Sequence, residues 1–271
     1  MKKYKKIKFP VTRIATQDVG RISGQRHFIP ALLEFDVTDI RNSIKNLRKI
    51  KTKHLSFTAW LIKTISITLE EFPAAHSFLK NKRKAVSFDD IDISITVERE
   101  YQGELVPLPY VIRQTNKKDF FEITNEILNA KNQNVSSDNV ILGEKKHNFG
   151  IKLYYMLPGF LRRAIMRFML GRPSSAQKMM GSVVITSVGM MGKVNGWFIQ
   201  TSMHPISFGI GSIISKPGAV NGRIEIREFL NMTVLIDHDL MDGAPMARFI
   251  TKLSQNIESG LGLQPAKKQT S

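Results

Sequence analysis

The residues best suited to chemistry lie near the C-terminal end of the chain, in the heptapeptide from Asp237 to Gly243 (DHDLMDG). An apolar run from Met232 to Ile236 precedes it and predicts a buried strand. A helix from Ala244 to Ser259 is predicted after it, with a proline in its first turn and a glycine just past its end. His238 therefore stands where a strand gives way to a turn, and histidine is the side chain most easily tuned to move protons near neutral pH. On the heptapeptide alone, a strand-end histidine without a catalytic role is the competing interpretation.

A second candidate is the strand predicted from Ser182 to Val188, which ends in two adjacent hydroxyls, Thr186 and Ser187. Neighbouring side chains on a strand point to opposite faces, so only one of the two can face a site. If His238 acts as a general base, a hydroxyl at the same site can stabilise a tetrahedral oxyanion. A Thr-Ser pair considered by itself is more often structural.

Composition narrows the classes of protein that the chain can belong to. The 271 residues, of which 42% are apolar, suffice for one large α/β domain or two small ones. The absence of cysteine excludes disulfides, thiolate metal sites and a cysteine nucleophile, and no metal site is expected. The basic N-terminus has no apolar segment behind it, and no run is long enough to span a membrane. The sequence therefore predicts a cytoplasmic protein.

The formal net charge of +17 indicates an acidic partner or ligand, such as nucleic acid, an anionic membrane surface or a phosphate-bearing cofactor. The basic residues are spread widely, and the sequence contains no helix-turn-helix, zinc-finger or aromatic RNA-binding signature. A nucleic-acid partner is therefore not expected. A basic proteome is the alternative explanation of the charge.

The elements that must position these residues follow from periodicity and from residues that start or stop helices. Strands are predicted at 31–37, 91–97, 103–112, 182–188, 207–215 and 232–236, and helices at 39–49, 57–72, 117–130 and 244–259. Residues 132–146 are polar and are predicted to form a loop. The stretch from Leu153 to Leu170 is apolar with an arginine cluster. It predicts a helix packed on the fold or on a neighbouring subunit, with membrane contact as the less favoured alternative.

The ordered motifs resemble the catalytic domain of 2-oxo acid dehydrogenase acyltransferases, the dihydrolipoamide acyltransferase components, which are relatives of chloramphenicol acetyltransferase. The D-H-x-x-x-D-G motif at 237–243 is similar to the family's active-site motif. Further similar segments, in the family's order, are 10–13, 34–38, 56–63 continuing to 71–73, 91–97, 103–107 and 181–192. The resemblance implies a two-layer α/β fold, with helices packed on a mixed sheet, in a single catalytic domain over residues 1–271.

The resemblance also implies a mechanism and roles for residues. His238 is expected to take a proton from the acceptor, a coenzyme A or dihydrolipoyl thiol in the family. Thr186 is expected to hydrogen-bond the oxyanion, with Ser187 the second choice. Asp242 is expected to order the histidine loop through an arginine, for which Arg13, Arg21 and Arg26 are all candidates, and it is favoured over Asp237 for that role.

The same resemblance implies a homotrimer whose active sites lie between subunits, with histidine from one chain and hydroxyl from the next. Coenzyme A or acyl-CoA is then the expected substrate. Three departures stand out: Asp239 where the family usually has arginine, no lipoyl or subunit-binding domain, and an insertion at about 132–178. No bound lipoyl group is therefore expected.

Three hypotheses about function remain open at the level of sequence. The first is a stand-alone acyltransferase moving an acyl group between coenzyme A and a thiol, hydroxyl or amine acceptor. The second is a trimeric assembly or binding module that has lost acyl transfer. The third is a binder of nucleic acid or of a membrane surface, driven by charge.

Overall fold

The computed structural model describes residues 4–5, 13–51, 55–101, 104–132, 156–187 and 195–263. The helices are α1 (Arg13–Ser23), α2 (Thr38–Lys51), α3 (Phe57–Glu70), α4 (Phe120–Asn132), α5 (Gly159–Leu170), α6 (Pro173–Met180) and α7 (Gly243–Glu258), with a 3-10 helix at Pro73–His76. The strands are β1 (Phe28–Asp36), β2 (Phe78–Asn81), β3 (Lys84–Val86), β4 (Ile93–Tyr101), β5 (Glu104–Ile112), β6 (Val183–Ser187), β7 (Ile206–Val220) and β8 (Arg223–Asp237).

A mixed sheet with the strand order β1-β8-β7-β6-β4-β5 forms one layer of the fold. Strand β6 runs parallel to β4 and β7, and the other neighbouring pairs are antiparallel. A separate hairpin joins β2 and β3. This arrangement confirms the expected two-layer α/β fold class.

Helices cover one face of the sheet, and the main core lies between the two layers. Alternate residues of the central strands, such as Ile206 and Phe208 on β7 and Val234 and Ile236 on β8, are fully buried there. Helix α3 is apolar nearly all round and lies at the centre of this layer, as predicted. Ser56 caps its first turn by accepting a hydrogen bond from the Ala59 N–H.

The opposite face of the sheet is covered in part by the 195–203 segment, an irregular stretch that leads into β7. The Trp197 indole N–H donates to the Leu33 carbonyl at 2.9 Å, and the Gln200 amide donates to the Ser207 hydroxyl at 3.0 Å. The backbone approach is close, because a Cβ at Gly211 would lie 3.0 Å from the Gly196 carbonyl oxygen. Because Gly211 has no side chain, the 195–203 segment can pack directly against β7 at this point.

Several predicted boundaries differ from the structure. The helix predicted from residue 117 begins at Phe120, because Asp119 and Glu122 form a reciprocal capping box with both hydrogen bonds at 2.7 Å. The strand predicted over 207–215 is longer, Ile206–Val220, because it pairs with β8 along its whole length. Helices α1 and α6 and the β2–β3 hairpin were not predicted. The loop predicted at 132–146 lies almost wholly outside the described residues.

Candidate active site

His238 follows the last residue of β8 and begins the turn that leads to α7. Its backbone N–H donates to the His27 carbonyl at 2.9 Å, which ties the turn to the residue just before β1. The N–H groups of Leu240 and Met241 donate to the Asp237 carbonyl, closing the turn. The His238 side chain is exposed, so its imidazole is open to a substrate or to another chain.

Asp237 holds this turn from beneath. Its carboxylate is 1% exposed and accepts a hydrogen bond from the Arg26 guanidinium at 2.6 Å and another from the Asp239 N–H at 3.2 Å. A buried carboxylate needs a paired cation, because an unpaired charge away from water is costly. Of the three candidate arginines, Arg26 enters the site, and its partner is Asp237 rather than the expected Asp242.

Asp242 has a different position. It is exposed and precedes the first residue of α7, and its backbone carbonyl accepts from the Met246 N–H at 3.1 Å. Its side chain makes no capping hydrogen bond, and among the described residues no cation lies within ion-pairing distance of it. Among the described residues, Asp242 marks the start of the helix, and the Arg26–Asp237 pair orders the loop.

Asp239, which replaces the arginine usual in the family, points towards His27. Its Oδ1 lies 3.1 Å from the His27 Nδ1, and both side chains are largely exposed. The acid therefore has a partner of its own at the surface, beside the His238 turn.

Thr186 and Ser187 point to opposite faces of the sheet, as strand geometry requires. Ser187 shares the helix-covered face with Val183 and Ile185, which are fully or almost fully buried. There it lines a cavity of about 490 Å³ between β7 and helices α2, α3 and α4. Thr186 lies on the other face, level with Gly209 of β7 and Thr233 of β8.

The register separates the two halves of the predicted site within one chain. Thr186 lies two strands away from β8, at the level of Thr233, while His238 lies beyond the end of β8. Strand spacing and rise place the two residues about 20 Å apart. The structure therefore does not bring His238 and Thr186 together in a single subunit.

Gln200 is a neighbour of the Thr186 face that the sequence did not reveal. A Cβ at Gly209, the register partner of Thr186, would collide with the Gln200 Oε1. That oxygen is buried and has no hydrogen-bond partner in the described structure. The Gln200 Oε1, a hydrogen-bond acceptor, therefore lies over Gly209, the strand neighbour of Thr186. The sequence signal that could have revealed this neighbour is Gly209 itself, because a glycine in a buried strand often marks close approach of another backbone or side chain.

A buried histidine lies behind the Arg26–Asp237 pair. His204 Nε2 lies 3.0 Å from the Met180 carbonyl, which indicates that this nitrogen carries the proton. Burial, together with the nearby Arg26 charge, lowers the pKa of His204 to about 4. His204 is therefore neutral at physiological pH and acts as part of the core.

Neither a metal cluster nor a membrane-spanning helix is found among the described residues. No group of three or more His, Asp or Glu side chains is arranged to hold a metal ion among them. None of the described helices combines the length and the apolar content needed to cross a bilayer.

Comparison with known proteins supports one family. The model of the 2-oxoacid dehydrogenases acyltransferase catalytic domain matches residues 4–138 and 162–263. The lipoamide acyltransferase component of the Bacillus subtilis branched-chain alpha-keto acid dehydrogenase complex is 25% identical over 92% of this chain. The match covers 52% of that protein, so the chain spans about half the length of the curated relatives it matches.

Solved structures agree on the fold. A probable dihydrolipoamide acetyltransferase from Listeria monocytogenes is 21% identical, covers 99% of this chain and 97% of its own, and superposes with a TM-score of 0.65. An Azotobacter vinelandii dihydrolipoamide acetyltransferase is 16% identical, covers 94% and 92%, and gives a TM-score of 0.66. That structure concerns the role of a serine, a histidine and an asparagine in the enzyme's catalytic mechanism. The order of elements, the fold and the match to most of the chain place this protein in the 2-oxoacid dehydrogenases acyltransferase (catalytic domain) family.

Proposed function

We propose that the protein is an acyltransferase that moves an acyl group between coenzyme A and a thiol, hydroxyl or amine acceptor. The observation that carries this proposal is the family match over 4–138 and 162–263, which includes both the strand with Thr186 and the turn with His238. In this proposal, His238 is the general base and Thr186 is the oxyanion donor.

The reaction proceeds by direct transfer. The His238 imidazole removes the proton from the acceptor, and the resulting nucleophile attacks the thioester carbonyl carbon of the acyl-CoA. The carbonyl oxygen becomes an oxyanion, to which the Thr186 hydroxyl donates a hydrogen bond. When the C–S bond breaks, the acyl group stays on the acceptor and the departing coenzyme A thiolate takes the proton from the imidazolium. No covalent acyl-enzyme is needed.

Two observations favour Thr186 over Ser187 for the oxyanion. Ser187 faces the chain's own helices, whereas Thr186 lies on the face that its own helices leave uncovered. In addition, the serine, histidine and asparagine named for the Azotobacter enzyme are separated along its chain as Thr186, His238 and Asp242 are here. That spacing also supports a role for Asp242 at the site, although it lacks a partner within the described chain.

The separation of about 20 Å within one chain supports a homotrimer with its active sites between subunits. No proton transfer or shared oxyanion can span that distance, so the histidine of one copy must meet the threonine of another. The exposure of His238 and the position of Thr186 on the face without helices are both consistent with such pairing. One related solved structure is the cubic core of a pyruvate dehydrogenase complex, which supports assembly as part of this proposal.

We also propose that the matched segments form one catalytic domain with an insertion within about 132–178. The interruption of the family match between 138 and 162 supports this assignment. Coenzyme A carries several phosphates, so the net charge of +17 suits it as a substrate. The chain covers about half the length of its relatives, so the proposal names no particular acyl group or acceptor.

The test is a thiol-release assay with a panel of acyl-CoA donors, with and without dihydrolipoamide as acceptor. His238→Ala should lower the rate by roughly 10²- to 10⁴-fold, the usual contribution of a general base. The matched control is His27→Ala, which removes a neighbouring exposed histidine but leaves the carbonyl that anchors the His238 turn. The control should retain most of the activity.

The alternative, an assembly module without chemistry, predicts a different result. Wild-type protein would then consume none of the thioesters with any acceptor, while still forming an oligomer. Equal rates in wild type and His238→Ala would instead contradict the role of His238 as base.

A further inference from the structure

Helix α5 is oriented with its apolar side outwards. Phe160 and Phe168 are 69% and 60% exposed, and Leu161 and Ile165 are 38% and 40% exposed. At about 100° per residue, residues 160, 161, 164, 165 and 168 lie within an arc of about 140°. We call this arc the outer face of α5, and no residue of the helix is fully buried.

The inner side of the helix is held by charge. Arg162 Nε lies 2.7 Å from Asp18 Oδ2, and Arg163 lies 3.3 Å from the other oxygen of the same carboxylate. Asp18 belongs to α1 and is only 1% exposed, so both arginines bind an acid within the protein. An ordinary surface helix buries its apolar stripe and exposes its charges. The Asp18 ion pairs fix the reverse orientation.

The Phe168 ring, at one end of the outer face, is also held in place. The Arg172 guanidinium lies over the Phe168 ring, 4.0 Å from its centroid, although the ring is largely exposed. Exposing a phenylalanine ring to water is unfavourable in free energy. A cluster of exposed apolar residues therefore usually marks a binding surface. The outer face is therefore an organised apolar surface.

The charge around this surface indicates its partner. From Met156 to Met180, across α5 and α6, the sequence contains five arginines and lysines and no acidic residue. Arg167, beside the outer face, and Lys178 on α6 are exposed. No acidic residue within 156–180 offsets these charges, and the chain as a whole carries +17, so this surface favours an anionic partner. An apolar helix face with flanking arginines suits the boundary between the headgroups and the acyl chains of an anionic bilayer.

We propose that the outer face of α5 docks the protein on an anionic lipid surface. The helix lies in the plane of the surface, with the phenylalanine rings among the acyl chains and Arg167 and Arg172 at the level of the lipid phosphates. Its length of about 18 Å is too short to span the bilayer. This docking does not depend on the acyltransferase reaction, and its failure would leave the proposed function untouched.

The experiment is co-sedimentation of the full chain with vesicles of phosphatidylcholine alone and of an equimolar mixture with phosphatidylglycerol. Wild type should bind the mixed vesicles, more weakly as salt rises, and should not bind phosphatidylcholine alone. The double variant Phe160→Ser/Phe168→Ser should bind at least roughly tenfold more weakly, because it removes most of the apolar area offered to the lipid. Arg167→Gln should weaken binding roughly fivefold, the usual effect of one basic residue near such a surface.

The matched control is Ile224→Ser/Ile226→Ser in the β7–β8 hairpin, where the two side chains are 82% and 69% exposed. It should bind vesicles like wild type. Lack of binding to the mixed vesicles at low salt would overturn the proposal, as would equal loss of binding in the control. A change in oligomer mass in the phenylalanine variant would overturn it too, because α5 would then be a contact between copies of the chain.

Discussion

Arg26 and Asp237 form a nearly buried ion pair directly beneath the turn that presents His238. The Arg26 guanidinium donates to the Asp237 carboxylate at 2.6 Å, with side-chain exposures of 23% and 2%. The same carboxylate accepts the Asp239 N–H, so the pair connects Arg26, two residues before β1, to both sides of His238. The position of the candidate base therefore depends on a contact between residues 211 positions apart.

Removing the arginine should be costly. Arg26→Met leaves the Asp237 carboxylate buried without its cation, so the free energy of unfolding should fall by roughly 3 to 5 kcal/mol. Acyl transfer should also fall, since the His238 turn loses its support. Urea unfolding measures the first effect, and the thiol-release assay measures the second.

A second variant separates charge from shape at this pair. Arg26→Met/Asp237→Asn should recover most of the lost stability, because no buried charge is then left unpaired. The control is Lys216→Met, which breaks the more exposed pair with Glu34 and should cost less than about 1 kcal/mol. If Arg26→Met lowered the free energy of unfolding as little as Lys216→Met does, the structural role given to Arg26 would be wrong.

Active sites between subunits predict complementation. His238→Ala and Thr186→Val should each be inactive alone, with Thr186→Val lowering the rate roughly 10²- to 10³-fold. When the two are co-expressed in equal amounts, about a quarter of all sites, and about one in three in trimers that contain both variants, should combine an intact histidine and an intact threonine. Activity of the mixed oligomers measures this directly.

The control for that experiment uses the variant Ser187→Ala in place of Thr186→Val. If Thr186 is the oxyanion donor, Ser187→Ala should remain largely active alone, because Ser187 faces the cavity beneath the helices. Failure of the co-expressed pair to recover any activity, despite mixed trimers by mass, would argue against sites shared between chains.

Gly209 should not tolerate a larger residue. In Gly209→Ala the new Cβ would collide with the Gln200 Oε1 and lie 3.0 Å from the Phe198 carbonyl oxygen, so the Gln200 side chain must turn aside and the backbone at Phe198 must shift by a small amount. We expect a loss of roughly 1 to 3 kcal/mol in stability from this overpacking. Gly20→Ala is the control, because a Cβ there meets nothing within 4 Å and alanine favours the helix. Equal stability of the two variants would contradict the close packing at Gly209.

Stability should depend on pH through the buried histidines. Burial lowers the pKa of His204 to about 4 and that of His76 to about 4, whereas the ordinary value is 6.5. Between these values the unfolded chain binds protons that the folded chain does not. The free energy of unfolding is therefore highest above pH 6.5 and should fall as the pH drops towards 4, by up to about 3 kcal/mol for each histidine.

Unfolding of wild type and His204→Gln across this pH range tests the prediction. The variant should have a shallower dependence on pH, since one buried group no longer titrates. An unchanged slope in both His204→Gln and His76→Gln would show that these histidines do not drive the dependence.

The sequence by itself determined the local features of this protein. The period-two pattern at 91–97 and the apolar run at 232–236 are set by residues close together in the chain, so they predicted strands, and β4 and β8 contain most of these residues. The order of the motifs predicted the family, and the chain's membership in it is confirmed. His238 and Thr186 were predicted as site residues in the same way, as members of motifs, and their roles stay predictions.

Only the tertiary structure decided which of these residues meet. The pairing of Arg26 with Asp237 arises because β1 lies beside β8 in a particular register, and no local pattern encodes that neighbour. The separation of Thr186 from His238 likewise follows from strand order. The apolar, arginine-bearing stretch from Leu153 to Leu170 predicted a helix, but the burial of Asp18 decided that the apolar face of α5 points outwards, because a buried acid required the arginines on the inner side.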